Sequence, residues 1–198
     1  MDYTPDGRIL VVRFGGNPGL LHFFGSDPMS LLAFSGVEIV EPSVLSRSGG
    51  WYVASGDRKG TVWNLQAKPF LAHRFACTHQ ILGLAVSPDD KLIASGGEDR
   101  MIALRDLPTG AVQKELIGHE AFVTALGFSP DGRTLLSGDS VGTIQVWSVP
   151  TGLFLFDLAH QPRKIERIEF SPSERYLAYS AFHGPLVVYD LRALRTGD

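Results

Sequence analysis

The sequence predicts an all-β chain made of repeated four-stranded antiparallel units, and three observations predict it. Ser87-Pro88-Asp89-Asp90-Lys91, Ser129-Pro130-Asp131-Gly132-Arg133 and Ser171-Pro172-Ser173-Glu174-Arg175 begin at positions 87, 129 and 171, a constant offset of 42 residues. Each follows a short stretch of alternating apolar residues, as a half-buried strand does. No window carries a helical period. A repeat of roughly 40–45 residues is the length of one four-stranded propeller blade. A β-sandwich has no need of so regular a repeat.

The elements follow in order within each unit. Leu84 and Val86, Leu126 and Phe128, and Ile168 and Phe170 point one way on the first strand. Pro-Asp-Gly then turns the chain, because Pro presets φ and Gly accepts positive φ. A second strand follows, Leu92-Ile93-Ala94-Ser95 or Thr134-Leu135-Leu136-Ser137. After a polar, Gly-containing turn, a β-branched third strand ends in Trp or a substitute, as in Thr143-Ile144-Gln145-Val146-Trp147. Thr109-Gly110 and Thr151-Gly152 turn into a fourth strand. Leu126, Phe128, Leu135, Ile144 and Val146 are the expected core of the fourth unit. Thr4-Pro5-Asp6-Gly7-Arg8 opens the chain with a related turn, and Trp51-Tyr52-Val53-Ala54-Ser55-Gly56 marks a more degenerate copy. Five repeats result, approximately 1–35, 36–72, 73–117, 118–158 and 159–198, the outer two incomplete, within a single domain. Three full units and two partial ones predict an open arc or a fragment of a larger ring. Its exposed strand edges would favour self-association.

Composition narrows the class. At 198 residues one domain buries roughly 70% of its extended surface, and 44% apolar with 20% charged residues describes a folded globular chain. A net charge of -3 without clustered Lys and Arg argues against nucleic acid. No apolar run approaches a membrane span, and Met1–Gly7 lacks the regions of a signal peptide. One cysteine, Cys77, allows no intrachain disulfide and suits a reducing compartment, so a cytoplasmic location is expected.

Gly118-His119, Ser129-Pro130-Asp131-Gly132, Leu136-Ser137-Gly138 and Ile144-Gln145-Val146-Trp147 together resemble a WD (Trp-Asp) repeat. That resemblance implies a β-propeller whose blades are each held by a hydrogen-bonded tetrad of His, Ser or Thr, Asp and Trp. Carried over by position, the fourth repeat supplies His119, Ser137 and Trp147, with Val141 where Asp is expected. The third keeps Ser95 and Asp99 but has Arg105 for Trp and Cys77 near the His position. The fifth offers His160 one residue out of register, with Tyr179, His183 and Tyr189. The second keeps Ser55 and Trp63, puts Lys59 at the Asp position, and runs two residues short between Gly60 and Trp63.

Several local patterns suggest chemistry. Gly138-Asp139-Ser140-Val141-Gly142 matches the G-x-S-x-G of a hydrolase nucleophile, but that mechanism needs a helix after the turn and a strand follows here. His73, Cys77 and His79 are suitable zinc ligands without a second cluster to complete a site. Adjacent Glu98 and Asp99 diverge on a turn and do not make an acid–base pair. Gly15-Gly16-Asn17-Pro18-Gly19 fits no phosphate loop and reads as a broad turn. The other histidines, His22 among them, read as structural or surface residues. Val188-Tyr189-Asp190-Leu191-Arg192 resembles the Trp-Asp-x-Arg segment by which some WD-repeat proteins dock on a cullin-type ligase adaptor, with Tyr for Trp.

The resemblance therefore implies a scaffold for a protein or extended peptide, with no cofactor and no catalytic residues. Arg58, Gln80, Glu98, Phe122, Ser140, Lys164, Glu166 and Phe182 sit at turns and strand starts that the repeat brings to one rim. The alternative for Phe122 is a core residue of its first strand. A propeller hydrolase or lyase would need carboxylates or histidines converging from several blades. The aligned turns offer only Arg58-Lys59, Glu98-Asp99, Ser140-Val141 and Phe182-His183. A sensor or assembly module of a larger multidomain protein is a third reading.

Overall fold

The computed structural model describes residues 2–6, 8–14, 19–25, 31–56, 58–67, 71–171 and 173–192, with side chains described at 4–6, 8–9, 42–56, 58–67, 73–171 and 173–192. Gly15–Pro18, the side chains of His22 and Leu31–Phe34, and residues 193–198 lie outside this set. Every described element is a strand: β1 (Asp2–Tyr3), β2 (Ile9–Phe14), β3 (Gly19–Gly25), β4 (Leu31–Leu45), β5 (Trp51–Gly56), β6 (Lys59–Asn64), β7 (Leu71–Ala76), β8 (Ile81–Val86), β9 (Leu92–Gly97), β10 (Met101–Asp106), β11 (Val112–Ile117), β12 (Val123–Phe128), β13 (Thr134–Asp139), β14 (Thr143–Ser148), β15 (Phe154–His160), β16 (Ile165–Phe170), β17 (Tyr176–Ala181) and β18 (Leu186–Asp190).

These strands form four antiparallel sheets arranged as the blades of a β-propeller: β1 to β7, β8 to β11, β12 to β15 and β16 to β18, each a simple meander. The long β4 explains the seven-stranded sheet. Its first half pairs with β3, and residues 40–45 pair with β5 as the inner strand of the next unit. Inner strands pack in sequence, β4 on β8, β8 on β12 and β12 on β16. They share a cavity of about 440 Å³ lined by all four, from Ser43 and Val44 round to Ile168 and Glu169.

One turn recurs five times, at Thr4, Ser46, Ser87, Ser129 and Ser171. In each, the backbone N–H of that residue donates to the carbonyl five residues on, at 2.8–2.9 Å. The N–H of the later residue donates back to the hydroxyl, at 2.9–3.1 Å. In three copies the hydroxyl donates to an Asp two residues on, Asp6, Asp89 or Asp131, at 2.5–2.7 Å. The Ser129 hydroxyl and the Arg133 amide hold the Asp131 carboxyl below its usual range. Ser46-Arg47-Ser48-Gly49 is thus the second repeat's turn, with neither Pro nor Asp, and Gly49 supplies its positive φ of 75°.

Neighbouring sheets bury apolar faces against each other. Ala94, Ile102 and Leu104 pack on Val123, Leu126, Leu135 and Trp147. Ala125, Leu136, Ile144 and Val146 pack on Ile165, Ile168, Leu177 and Tyr179. Leu126, Phe128, Leu135, Ile144 and Val146 are all buried. They split by strand alternation between the two faces of their sheet.

Candidate interaction rim

The strand starts and the second-to-third-strand turns lie together at one end of the blades, joined by a repeated backbone bond. The amides of Glu98, Ser140 and Phe182 donate to the carbonyls of Gln80, Phe122 and Lys164, at 3.3, 2.9 and 2.8 Å. These six residues are therefore three equivalent pairs in three successive sheets. Arg58, with φ of 51°, holds the matching turn of the first sheet, and its carbonyl accepts from Cys77 N–H at 2.8 Å. Glu166, one residue inside β16, is exposed and lines the shared cavity. Phe122 precedes β12 and is 46% exposed, and Phe182 is 49% exposed. Phe122 is not a core residue, because the buried run begins at Val123. Phe182 packs edge-on to His183, their ring centres 4.1 Å apart.

Behind the rim, the fourth repeat holds a buried polar chain. Trp147 Nε1 donates to Ser137 Oγ at 2.7 Å, Ser137 Oγ lies 2.6 Å from His119 Nε2, and His119 Nδ1 lies 3.1 Å from Asp139 Oδ2. An indole only donates and a carboxylate only accepts. With a neutral imidazole, Ser137 must accept from Trp147 and donate to His119 Nε2, and His119 Nδ1–H donates to Asp139. Burial keeps His119 below its ordinary pKa, against the opposing pull of Asp139. The other Asp139 oxygen accepts the amides of Val141, Gly142 and Thr143 at 3.0, 2.8 and 2.8 Å. One carboxylate thus fixes the rim turn that displays Ser140.

This geometry corrects the expected register. The acidic member is Asp139, the last residue of β13, and Val141 is an exposed turn residue. Asp99 matches Val141, not Asp139, and its Oδ1 accepts the Met101 amide at 3.3 Å. Gly97 stands at the Asp139 position of the third repeat. There, Cys77, Ser95 and Arg105 replace His119, Ser137 and Trp147, and a cavity of about 160 Å³ opens among them. Arg105 stacks on Phe75 at 4.6 Å, with its head 3.3 Å from the Gly110 carbonyl and 3.6 Å from Cys77 Sγ. Burial pushes the Cys77 thiol pKa up, with Arg105 opposing it.

In the fifth repeat Gln161, not His160, takes the His119 place, and its Nε2 donates to Tyr179 Oη at 2.9 Å. His160 ends β15, 3.3 Å from the Thr143 hydroxyl, and His183 sits in a turn with φ of 49°. In the second repeat Ala54 matches Ser137, so buried Ser55 faces the opposite side. Trp63 lies opposite Tyr52 as Trp147 lies opposite Leu135, and Gly56 stands at the Asp139 place that Lys59 was expected to fill. The shortening falls in the turn between β5 and β6, before Lys59, and amounts to one residue.

The remaining patterns resolve structurally. Gly138–Gly142 ends one strand and turns into the next, with Gly142 at φ 100°. His73 Nε2 lies 2.7 Å from the Leu107 carbonyl. Among the described residues, no group of three or more His, Cys, Asp or Glu side chains could hold a metal ion. Arg175 Nε and Nη2 both donate to Asp190 Oδ2, at 2.9 and 2.8 Å, so the strand-end Asp190 is engaged within its own sheet. No described helix is long and apolar enough to cross a membrane. Residues 69–106 and 110–148 match the family model described as WD domain, G-beta repeat. No curated protein matches the chain.

Proposed function

We propose that this chain, which belongs to the WD-repeat family, is a binding scaffold whose rim receives a protein or extended peptide and assembles it into a complex. WD-repeat propellers are generally protein-interaction scaffolds. The observation that carries the reading is the exposed pair Phe122 and Phe182 on a rim whose backbone is bonded sheet by sheet. Aromatic anchors on a fixed frame lose little entropy on binding and dominate interface energetics. Arg58, Gln80, Glu98, Ser140, Lys164 and Glu166, spread over the four sheets, add polar groups and both signs of charge, suited to selecting a partner. A cytoplasmic location belongs to this reading, supported by a single cysteine that suits a reducing compartment.

The test is affinity capture with mass spectrometry, comparing the wild type with Phe122→Ala and Phe182→Ala. Both side chains are half exposed, so unfolding midpoints should stay close to wild type while one defined partner set disappears. Capture of the same set by both variants would overturn the rim assignment. Stoichiometric metal bound to the purified chain would instead favour an enzymatic propeller.

A further inference from the structure

The third repeat puts a cation where the fourth has an indole. At the offset of 42 residues, Arg105 stands for Trp147, Cys77 for His119, Ala103 for Gln145 and Gly97 for Asp139, while Ser95 keeps the place of Ser137. Every exchange shortens or removes a side chain, and the cavity of about 160 Å³ is the space they free. Exposed Thr78, His79 and Glu115 line it together with Gln80 of the rim, so it is reached from solvent.

Its polar groups lack protein partners. Half-buried Arg105 stacks on Phe75 and donates from Nη1 to the Gly110 carbonyl, yet its buried Nε–H has no acceptor. On the same edge of the guanidinium, Nη2 meets only Cys77 Sγ, a weak acceptor, at 3.6 Å. Burial raises the thiol pKa, so the sulfur is uncharged at neutral pH and does not offset the cation. Among the described residues no carboxylate pairs with Arg105, and Asp99 instead accepts the Met101 amide. Ser95 is 4% exposed and lines the cavity. No described group bonds its hydroxyl, whereas Ser137 is bonded on both sides. Unpaired groups of this kind carry a desolvation cost that an occupant bearing acceptors removes.

We infer that this cavity binds a carboxylate, clamped by Nε and Nη2 of Arg105 and bonded by the Ser95 hydroxyl. Elsewhere in the chain, Arg175 holds Asp190 by the same edge. A carboxylate offers two coplanar acceptors that match this fork. Asp99 and Glu115 on the walls favour a single negative charge over a phosphate dianion, because each added charge adds repulsion. The source is a free short-chain acid or an acidic side chain of a peptide, and the chemistry is shared. The site does not depend on the rim reading, since a free acid tests it.

Titration of the full chain with propionate, followed by NMR of the arginine Nε–H groups, tests the site. One Nε–H signal should shift saturably, and Arg105→Gln should abolish that signal. The same change should raise the dissociation constant about tenfold or more, as loss of a charge-assisted pair does. Arg105→Lys keeps the charge without the fork and should also weaken binding; it supplies the assignment if Arg105→Gln does not fold. Ser95→Ala should weaken binding about threefold, with an unchanged circular dichroism spectrum. Inorganic phosphate should bind less tightly than propionate, and N-acetylglutamine amide should not bind. Tighter binding of N-acetylglutamic acid α-amide than of propionate assigns the source as an acidic side chain, and the reverse order assigns it as a free acid. No saturable shift, a shift confined to other arginines, preference for phosphate, equal binding of the glutamine amide, or indifference to Ser95→Ala would each overturn the inference.

Discussion

Replacing Ser137 with Ala isolates the buried polar chain from the packing around it. The change removes one oxygen and leaves the methylene, so little volume is lost. It strips the Trp147 N–H of its acceptor and His119 Nε2 of its donor, at 2.7 and 2.6 Å. Ser137 and Trp147 are essentially inaccessible to water, and His119 nearly so. A buried polar group left unpaired costs about 1–3 kcal/mol, so two such groups should cost about 2–6 kcal/mol. That is a large share of the 5–15 kcal/mol typical of a domain. Urea unfolding followed by tryptophan fluorescence should show an earlier midpoint with an unchanged slope. In a Trp147→Phe background the indole donor is absent, and the same substitution should cost at least about 1 kcal/mol less. A loss below about 0.5 kcal/mol in the wild-type background, or no coupling with Trp147→Phe, would refute the assigned direction of these bonds.

Leu126→Ala should cost about 2–5 kcal/mol in the same titration, because Leu126 fills the junction between the second and third sheets. Gly142→Ala should cost about 3 kcal/mol or more, since its Cβ would fall 1.9 Å from the Gln161 carbonyl oxygen at a φ of 100°. Gly132→Ala, at φ 69° with nothing nearer than 3.5 Å, should cost only about 1–2 kcal/mol. Burial depresses the folded-state pKa of His119, so the unfolded chain takes up its proton first as pH falls. Stability from this group is full above the ordinary His value of about 6.5 and falls as pH drops below it. Unfolding free energies measured down to mildly acidic pH should decline, and His119→Gln should flatten that decline.

The fold was legible because its marker is local. A hydroxyl, a Pro-Asp step and a following strand encode the turn within six residues, and three clear copies set the period. The second copy hid because Ser46-Arg47-Ser48-Gly49 has no Pro or Asp, although its hydroxyl and positive-φ glycine suffice for the same bonds. The polar chain was only half legible. Side chains two apart on a strand share a face, so Ser137 points to Asp139 as its companion. Counting from the turn leads instead to Val141 and Asp99, which follow the strand and face elsewhere. Alternation also misleads at Phe122, because the buried strand begins one residue later.

The sheets differ most where the polar chain lies and least where they stack, which separates what specifies the propeller from what tunes it. The hydroxyl turn is present five times and the apolar stacking pattern recurs from sheet to sheet, whereas the full His119–Ser137–Trp147–Asp139 set is seen in the fourth repeat alone among the described residues. The third repeat still closes with Arg105 stacked on Phe75 and a cavity beside Cys77. Packing and turns must therefore carry the architecture, as burial of apolar area is the larger contribution to folding. The polar chain does something more local. By holding three amides with one carboxylate, Asp139 fixes the turn at Ser140, whose own amide ties it to the Phe122 carbonyl. The best-anchored part of the rim is thus the part beside an exposed aromatic ring, where a rigid frame lowers the entropy lost on binding.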